Sequence, residues 1–266
     1  KQKTAYELSL GLVGSEMCIR DRIKSAYLDK KEQKTLDDAE RFTSKSWAKK
    51  RAAGTPFMNG SVNEPSSKEI KDSIPRVQKD LEGHTSHLTI VDKNGMIVSL
   101  TQTIGPTMGS KVATPGLGFL YAQTMGGYLG KVEPNLRVPS HISPIIVFKN
   151  DKPFLAMGAA GGSRIPSSIV NVISRIIDHD LSLEEALNSP RVHPIEEGIS
   201  LEVVDKVSWN NNDSTYFSKL GYTVEMKRLP GQFGRIHAVI LDTLTGEWIG
   251  CADPDWEGTS AFPILD

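Results

Sequence analysis

HTSHLTIVDKNGMIVSLTQT, residues 84–103, holds two runs rich in β-branched residues on either side of Asn94-Gly95, a pair suited to the positive-φ positions of a tight turn. The stretch therefore reads as a β-hairpin, and its loop length decides which side chains share a face. A three-residue loop, Lys93-Asn94-Gly95 with Gly95 left-handed, sets Thr103 opposite Thr85 on one face. A two-residue turn would slip the register by one and send Thr103 to the other side. The three-residue loop is expected.

Further strands are expected downstream at GLGFLYA (116–122), ISPIIVFK (142–149), PFLAMGA (153–159), ISLEVV (199–204), GYTVEMK (221–227), RIHAVILD (235–242) and GEWIGCA (246–252). Helices are fewer. IPSSIVNVISRIIDHD (165–180) has Pro166 in a first-turn position and an apolar face of Ile169, Val170, Ile173, Ile176 and Ile177. Ser182-Leu183-Glu184-Glu185 opens a second helix with a capping-box pattern that Pro190 closes, and a third runs from Asp213 to Leu220 and stops at Gly221. Strands grouped with packed helices predict an α+β layered domain from Gly83 onward.

Upstream the character differs. Residues 23–53 are lysine-rich and helix-favouring with sparse apolar points, which predicts surface helices, and residues 54–82 read as an exposed linker rich in Gly, Pro, Asn and Ser. The first residues look superficially like a secretory signal, but Glu7 and Gly11 break the apolar run. Residues 11–21, GLVGSEMCIRD, match the translation of a common transposase sequencing adapter, so residues 1–22 are expected to be an assembly artefact outside the fold.

With 31 basic and 32 acidic residues and a net charge of −1, the 266-residue chain lacks the charge excess of a nucleic-acid-binding protein. No run is apolar enough for a membrane-spanning helix. Cys18 and Cys251 form no disulfide framework, and His179, His193 and His237 lack metal-ligand spacing with carboxylates, so neither a metal nor a cofactor is expected.

Two short segments carry chemistry. GAAGGSRIP (158–166) is a loop between a strand and a helix; it reads either as a tight turn or as a set of bare N–H groups suited to a developing oxyanion. No Gly-Lys-Ser/Thr follows, which argues against a phosphate-binding P-loop. Thr85 is either an ordinary strand residue or, if freed as a chain N-terminus, a nucleophile whose own α-amine is the base. That amine titrates near pH 7.7 to 8.0 when unperturbed and is partly neutral at physiological pH.

Thr85-Ser86-His87, the hairpin through Thr103 and residues 158–166 together resemble the small subunit of the γ-glutamyltransferase (glutathione hydrolase) family of N-terminal nucleophile hydrolases. The similarity runs from about Leu28 through GCADPDWEG at 250–258. The resemblance implies an αββα four-layer sandwich, incomplete here because most of a large first subunit is missing. Residues 23–84 would be that subunit's tail and 85–266 the small catalytic subunit, the precursor cutting itself at His84-Thr85 and the halves remaining as a heterodimer. It implies that Thr85 attacks small-molecule amides, glutathione being one candidate, and passes the acyl group to water or an amine. Thr103 would support the nucleophile, and Gly161 and Gly162 would form the oxyanion hole.

Departures from the family pattern bear on specificity. Gly105 stands where the family has an asparagine after the supporting threonine, and Gly127 stands where it has the aspartate that grips the substrate α-amine. The family's serine pair becomes Ser140-His141. His141 reads either as a contact for an acidic substrate group or as an ordinary histidine, and Arg164 either as a carboxylate ligand or as half of a structural ion pair. Arg191-Val192-His193 reads as a loop anchor. Two alternatives to γ-glutamyl transfer follow: an amidohydrolase with a different acyl donor, and an inactive truncated homologue. Lacking the large subunit, the chain alone is expected to be inactive. The resemblance implies a periplasmic or extracellular location, with the cytoplasm left open.

Overall fold

The computed structural model describes residues 45–46, 83–124, 140–195, 198–204, 208–228, 231–256 and 258–262. The expected surface helices and linker therefore lie outside the described residues, apart from Lys45 and Ser46, which are helical. The expected artefact segment and Gly127 also lie outside them.

The hairpin forms as read: β1 (Gly83–Val91) pairs antiparallel with β2 (Ile97–Pro106), Thr85 opposite Thr103 and Val91 opposite Ile97. Its loop is the three-residue one. Asp92 N donates to Met96 O at 3.0 Å, and Gly95 takes φ +83°. The Asp92 carboxylate also accepts from Asn94 N and Met96 N, each at 2.8 Å, which fixes the turn.

A second sheet has the order β3-β4-β8-β9, all antiparallel: β3 (Ile145–Lys149), β4 (Lys152–Ala160), β8 (Arg235–Leu241) and β9 (Trp248–Ala252). One face takes the helices α1 (Ile165–Asp178) and α2 (Leu183–Asn188). Leu155, Met157 and Ala159 of β4 and Ile236 and Ala238 of β8 pack there with Ile165, Ile169, Val172 and Ile176 of α1. Val170 is only half-buried and Ile177 is exposed, so the inward stripe of α1 is narrower than the sequence suggests. The other face of this sheet meets the hairpin. The layers are thus helices, four-stranded sheet, hairpin.

Pro166 sits in the first turn of α1, and Ser182 caps α2 in a reciprocal box with Glu185. Arg175 of α1 binds the carbonyls left free at the end of α2, donating to Ala186 O at 3.3 Å, Ser189 O at 3.1 Å and Pro190 O.

A smaller sheet, β5 (Val192–Ile195), β6 (Gly198–Glu202) and β7 (Thr223–Lys227), packs on α3 (Asn211–Lys219) through Val192, Ile199, Leu201 and Phe217. The cap of α3 is Asn210 with Asp213, so the helix starts before the expected Asp213. β5 escaped the sequence reading because Pro194 argues against a strand; it is tolerated since β5 is an edge. The expected strand at 116–122 does not form. Gly116 and Gly118 take positive φ, and only an isolated bridge joins Ala113 to Leu120. Among the described residues no helix is long and apolar enough to cross a membrane.

Candidate active site

The hairpin turns its polar side inward. Thr85, His87 and Thr89 alternate along β1 opposite Thr103, Thr101 and Ser99, whereas Leu88, Ile90, Val98 and Leu100 face outward and are exposed. The polar row is fixed to the sheet beneath. Ser99 Oγ donates to Met157 O at 3.2 Å, Thr89 Oγ1 reaches His237 O at 3.5 Å, and the His87 ring lies directly on Gly158. A Cβ at Gly158 would stand 2.5 Å from His87 Nδ1, so only glycine admits the ring. Ser99 sits over Met157 and His87 over Gly158, and Thr85 with Thr103 forms the next row of the hairpin on the same face.

His87 is buried between two hydroxyls, its Nδ1 2.7 Å from Thr101 Oγ1 and its Nε2 2.8 Å from Thr89 Oγ1. Burial, with His237 nearby, lowers its pKa to about 4, so the ring is neutral at physiological pH. Burial lowers His237 as well, Asp253 opposing. His87 has no role that its local sequence identifies. The signal was its place in an alternating row of small hydroxyl residues.

Where β4 ends, Gly161 takes φ +136° and Gly162 φ +60°, followed by one 3₁₀ turn (Gly162–Arg164) that runs into α1. Arg164 N donates to Gly161 O at 3.1 Å, closing the turn. A Cβ on Gly161 would lie 2.9 Å from Gly234 Cα, whereas one on Gly162 would meet nothing within 4 Å. Two residues without side chains, in conformations other residues resist, precede a helix N-terminus here. Thr103, half-buried, accepts from Gly105 N at 3.1 Å through its Oγ1.

Gly234 is itself held. Arg191, buried, donates to Gly234 O at 2.7 Å and Leu187 O at 3.0 Å, and its Nη2 meets Asp253 Oδ2 at 2.6 Å. Asp253 also accepts from Ile236 N at 3.1 Å, and Glu202 accepts from Arg191 N at 2.8 Å. Arg191 is thus the anchor expected, and its contacts reach the glycine loop through Gly234. His193 packs Nδ1 against Ser167 Oγ at 2.7 Å.

The expected substrate residues are more scattered. Ser140 is exposed on the coil before β3, its Oγ accepting from Ile142 N at 3.2 Å; His141, beside it, is half-buried. Arg164 ends the 3₁₀ turn half-buried, its carbonyl accepting from Ser167 Oγ at 3.1 Å. At Gly105 (φ +84°) a Cβ would meet Gln123 O at 2.7 Å, so main chain fills the place of any side chain there. Burial pushes the Cys251 thiol up, which suits a packing role. Among the described residues no three His, Cys, Asp or Glu side chains gather as a metal site.

Comparison with known proteins bears on this geometry. The family model described as gamma-glutamyltranspeptidase matches residues 16–262. A glutathione hydrolase proenzyme of Bacillus subtilis is 29% identical over 227 residues, covering 80% of this chain and 35% of the relative. An acylase ACY 1 proenzyme of a Pseudomonas species is 32% identical over 171 residues, covering 61% of this chain and 30% of the relative. The chain thus spans about a third of the length of such relatives. Among solved structures, the T380A mutant of Helicobacter pylori gamma-glutamyltranspeptidase aligns with a TM-score of 0.56 at 31% identity, over 64% of this chain and 99% of that one.

Proposed function

Because the chain belongs to the gamma-glutamyltranspeptidase family, with the N-terminal nucleophile hydrolase fold, we propose that it is the catalytic part of a self-processing γ-glutamyl transferase whose nucleophile is Thr85. The cross-strand pairing of Thr85 with Thr103, on the hairpin face that carries the buried His87, carries this reading. In the continuous chain the Thr85 nitrogen is an amide and cannot act as a base. Thr85 Oγ attacks the His84 carbonyl, the peptide bond shifts to an ester, and water hydrolyses it, leaving Thr85 with a free α-amine.

In the mature site that amine takes the hydroxyl proton as Oγ attacks the substrate amide. The N–H groups of Gly161 and Gly162 hold the oxyanion, and Thr103 orients the hydroxyl. The leaving amine departs with the proton, and water or an amine acceptor then takes the acyl group from Thr85. Ser140, His141 and Arg164 line the acyl donor's approach, and the donor is a γ-glutamyl amide such as glutathione. Residues 23–84 end a larger first subunit that stays bound after cleavage, and 85–266 form the second. The exposed apolar outer face of the hairpin supports a partner there.

The test is turnover of γ-glutamyl p-nitroanilide by the product of the natural open reading frame that contains this chain. Thr85→Ala should abolish release of p-nitroaniline. Undiminished turnover in that variant refutes the assignment.

A further inference from the structure

β3 and β4 are joined by a tight turn, Asn150-Asp151, with both residues at positive φ (+52° and +61°), and Lys149 closes the pair directly opposite Lys152. Like charges set opposite each other on adjacent strands repel, and no acid relieves them here. Among the described residues neither ammonium makes an ion pair or a hydrogen bond, so Asp151 in the turn itself pairs with neither. Asp242, at the base of the neighbouring β8–β9 turn, is committed to that turn, accepting from Leu244 N at 2.8 Å and Thr245 N at 3.4 Å.

One of the two charges is held in place. The register slips between Val147 and Phe148, which leaves Phe154 as the extra residue of β4, a bulge that re-aims its ring. Phe154 packs against the core under α1, and Lys149 Nζ lies 5.2 Å from the ring centroid. Between this turn and the end of β8 opens a cavity of about 410 Å³, within the roughly 300–1,000 Å³ of small-molecule sites. Lys149, Asn150, Lys152 and Thr243 supply its polar lining, and Phe154 and Leu241 its apolar part. The cavity stands at the far end of β4 from the glycine pair. That strand spans nine residues, Lys152–Ala160, roughly 26 Å at about 3.3 Å per residue.

The donor set points to one kind of ligand. Ammonium groups are compact point charges and offer no planar fork to match a carboxylate; a pair of them suits a phosphate dianion, whose oxygens accept from several donors at once. Asn150 and Thr243 add neutral donors, and Leu241 and Phe154 offer apolar contact to whatever carries the phosphate. We propose that this cavity binds a phosphate monoester with a small apolar body, the phosphate held between Lys149 and Lys152. Binding there offsets the repulsion of the closing pair, and it depends neither on Thr85 nor on acyl transfer.

The experiment is calorimetric titration of the product of the natural open reading frame with phenyl phosphate and with inorganic phosphate. Phenyl phosphate should bind saturably, and at least about threefold more tightly than inorganic phosphate because its ring is buried. Lys149 and Lys152 are exposed, so the double variant Lys149→Gln, Lys152→Gln should fold as the parent does. It should bind phenyl phosphate at least about tenfold more weakly, with turnover of γ-glutamyl p-nitroanilide unchanged. Absence of saturable binding in the wild type, equal affinity for the two phosphates, or unchanged affinity in the double variant overturns the proposal. A second readout separates this cavity from the proposed active site. Phenyl phosphate should leave the KM for γ-glutamyl p-nitroanilide unchanged; a rise of KM that is equal in wild type and double variant places the probe at the active site and overturns the proposal. If no amide is turned over, the titrations alone decide it.

Discussion

Two buried groups should pull the stability of this fold in opposite directions as pH changes. His87 binds its proton near pH 6.5 when unfolded and near 4 in the fold. Between those values the unfolded state holds more protons, so stability falls as pH falls. Glu202 is the reverse case: burial, partly offset by Arg191, raises its pKa from 4.5 to about 7. The fold then holds the extra proton, and stability is lost as pH rises from 4.5 to 7. From pH 7 to 4.5 each effect amounts to at most about 2.5 kcal/mol. In the wild type they nearly cancel.

The assay is urea denaturation at pH 4.5 and 7 in a Thr85→Ala background, chosen to block the proposed cleavage. Relative to that parent, Glu202→Gln should lose up to about 2.5 kcal/mol on acidification and His87→Gln should gain a similar amount. The contribution of His237, also lowered by burial, is common to all three proteins. Parallel pH dependence in parent and variants would refute the placement of both groups.

The glycine pair should respond unequally. Gly161→Ala must strain a φ of +136° and crowd Gly234, so kcat on γ-glutamyl p-nitroanilide should fall by about 10²- to 10³-fold, as when an oxyanion donor is lost. Gly162→Ala, with open space around a φ of +60°, should cost only about 1–2 kcal/mol of strain and retain most of kcat. Arg191→Leu should lower the unfolding free energy in urea by about 3–5 kcal/mol, because it leaves Asp253 buried and unpaired; adding Asp253→Asn should recover part of that loss.

The hairpin was legible because its signal is local: Asn94-Gly95 and the flanking alternation determine the loop, and the loop sets the pairing of Thr85 with Thr103. The cap of α2 was legible for the same reason, whereas α3 begins under an Asn210 cap, before the expected start at Asp213. Alternation does not say which side of the hairpin faces in. Here the polar row is inward, because the inter-sheet layer offers hydrogen-bond partners at Met157 and His237, and the apolar row is left outside. Residues 116–122 have the composition of a strand, but two glycines at positive φ turn the chain instead. β5 was hidden by Pro194, whose edge position only the sheet order reveals. The Arg191–Asp253 pair and the Arg235–Trp256 stack could not be read at all. Each joins residues far apart in the chain, and neither partner stands in a motif that points to the other.

These contacts connect into one arrangement. His87 on Gly158 and Ser99 on Met157 hold the hairpin over β4, and Arg191 holds Gly234 against Gly161. The proposed nucleophile and the proposed oxyanion loop are thereby carried on two elements locked to the same strand, which is the preorganisation acyl transfer requires.

The most direct test of that account is the mass and N-terminal sequence of the products made by the natural open reading frame. Cleavage at His84–Thr85 predicts a fragment beginning Thr-Ser-His, absent from Thr85→Ala. An uncut polypeptide that still turns over γ-glutamyl amides would contradict it.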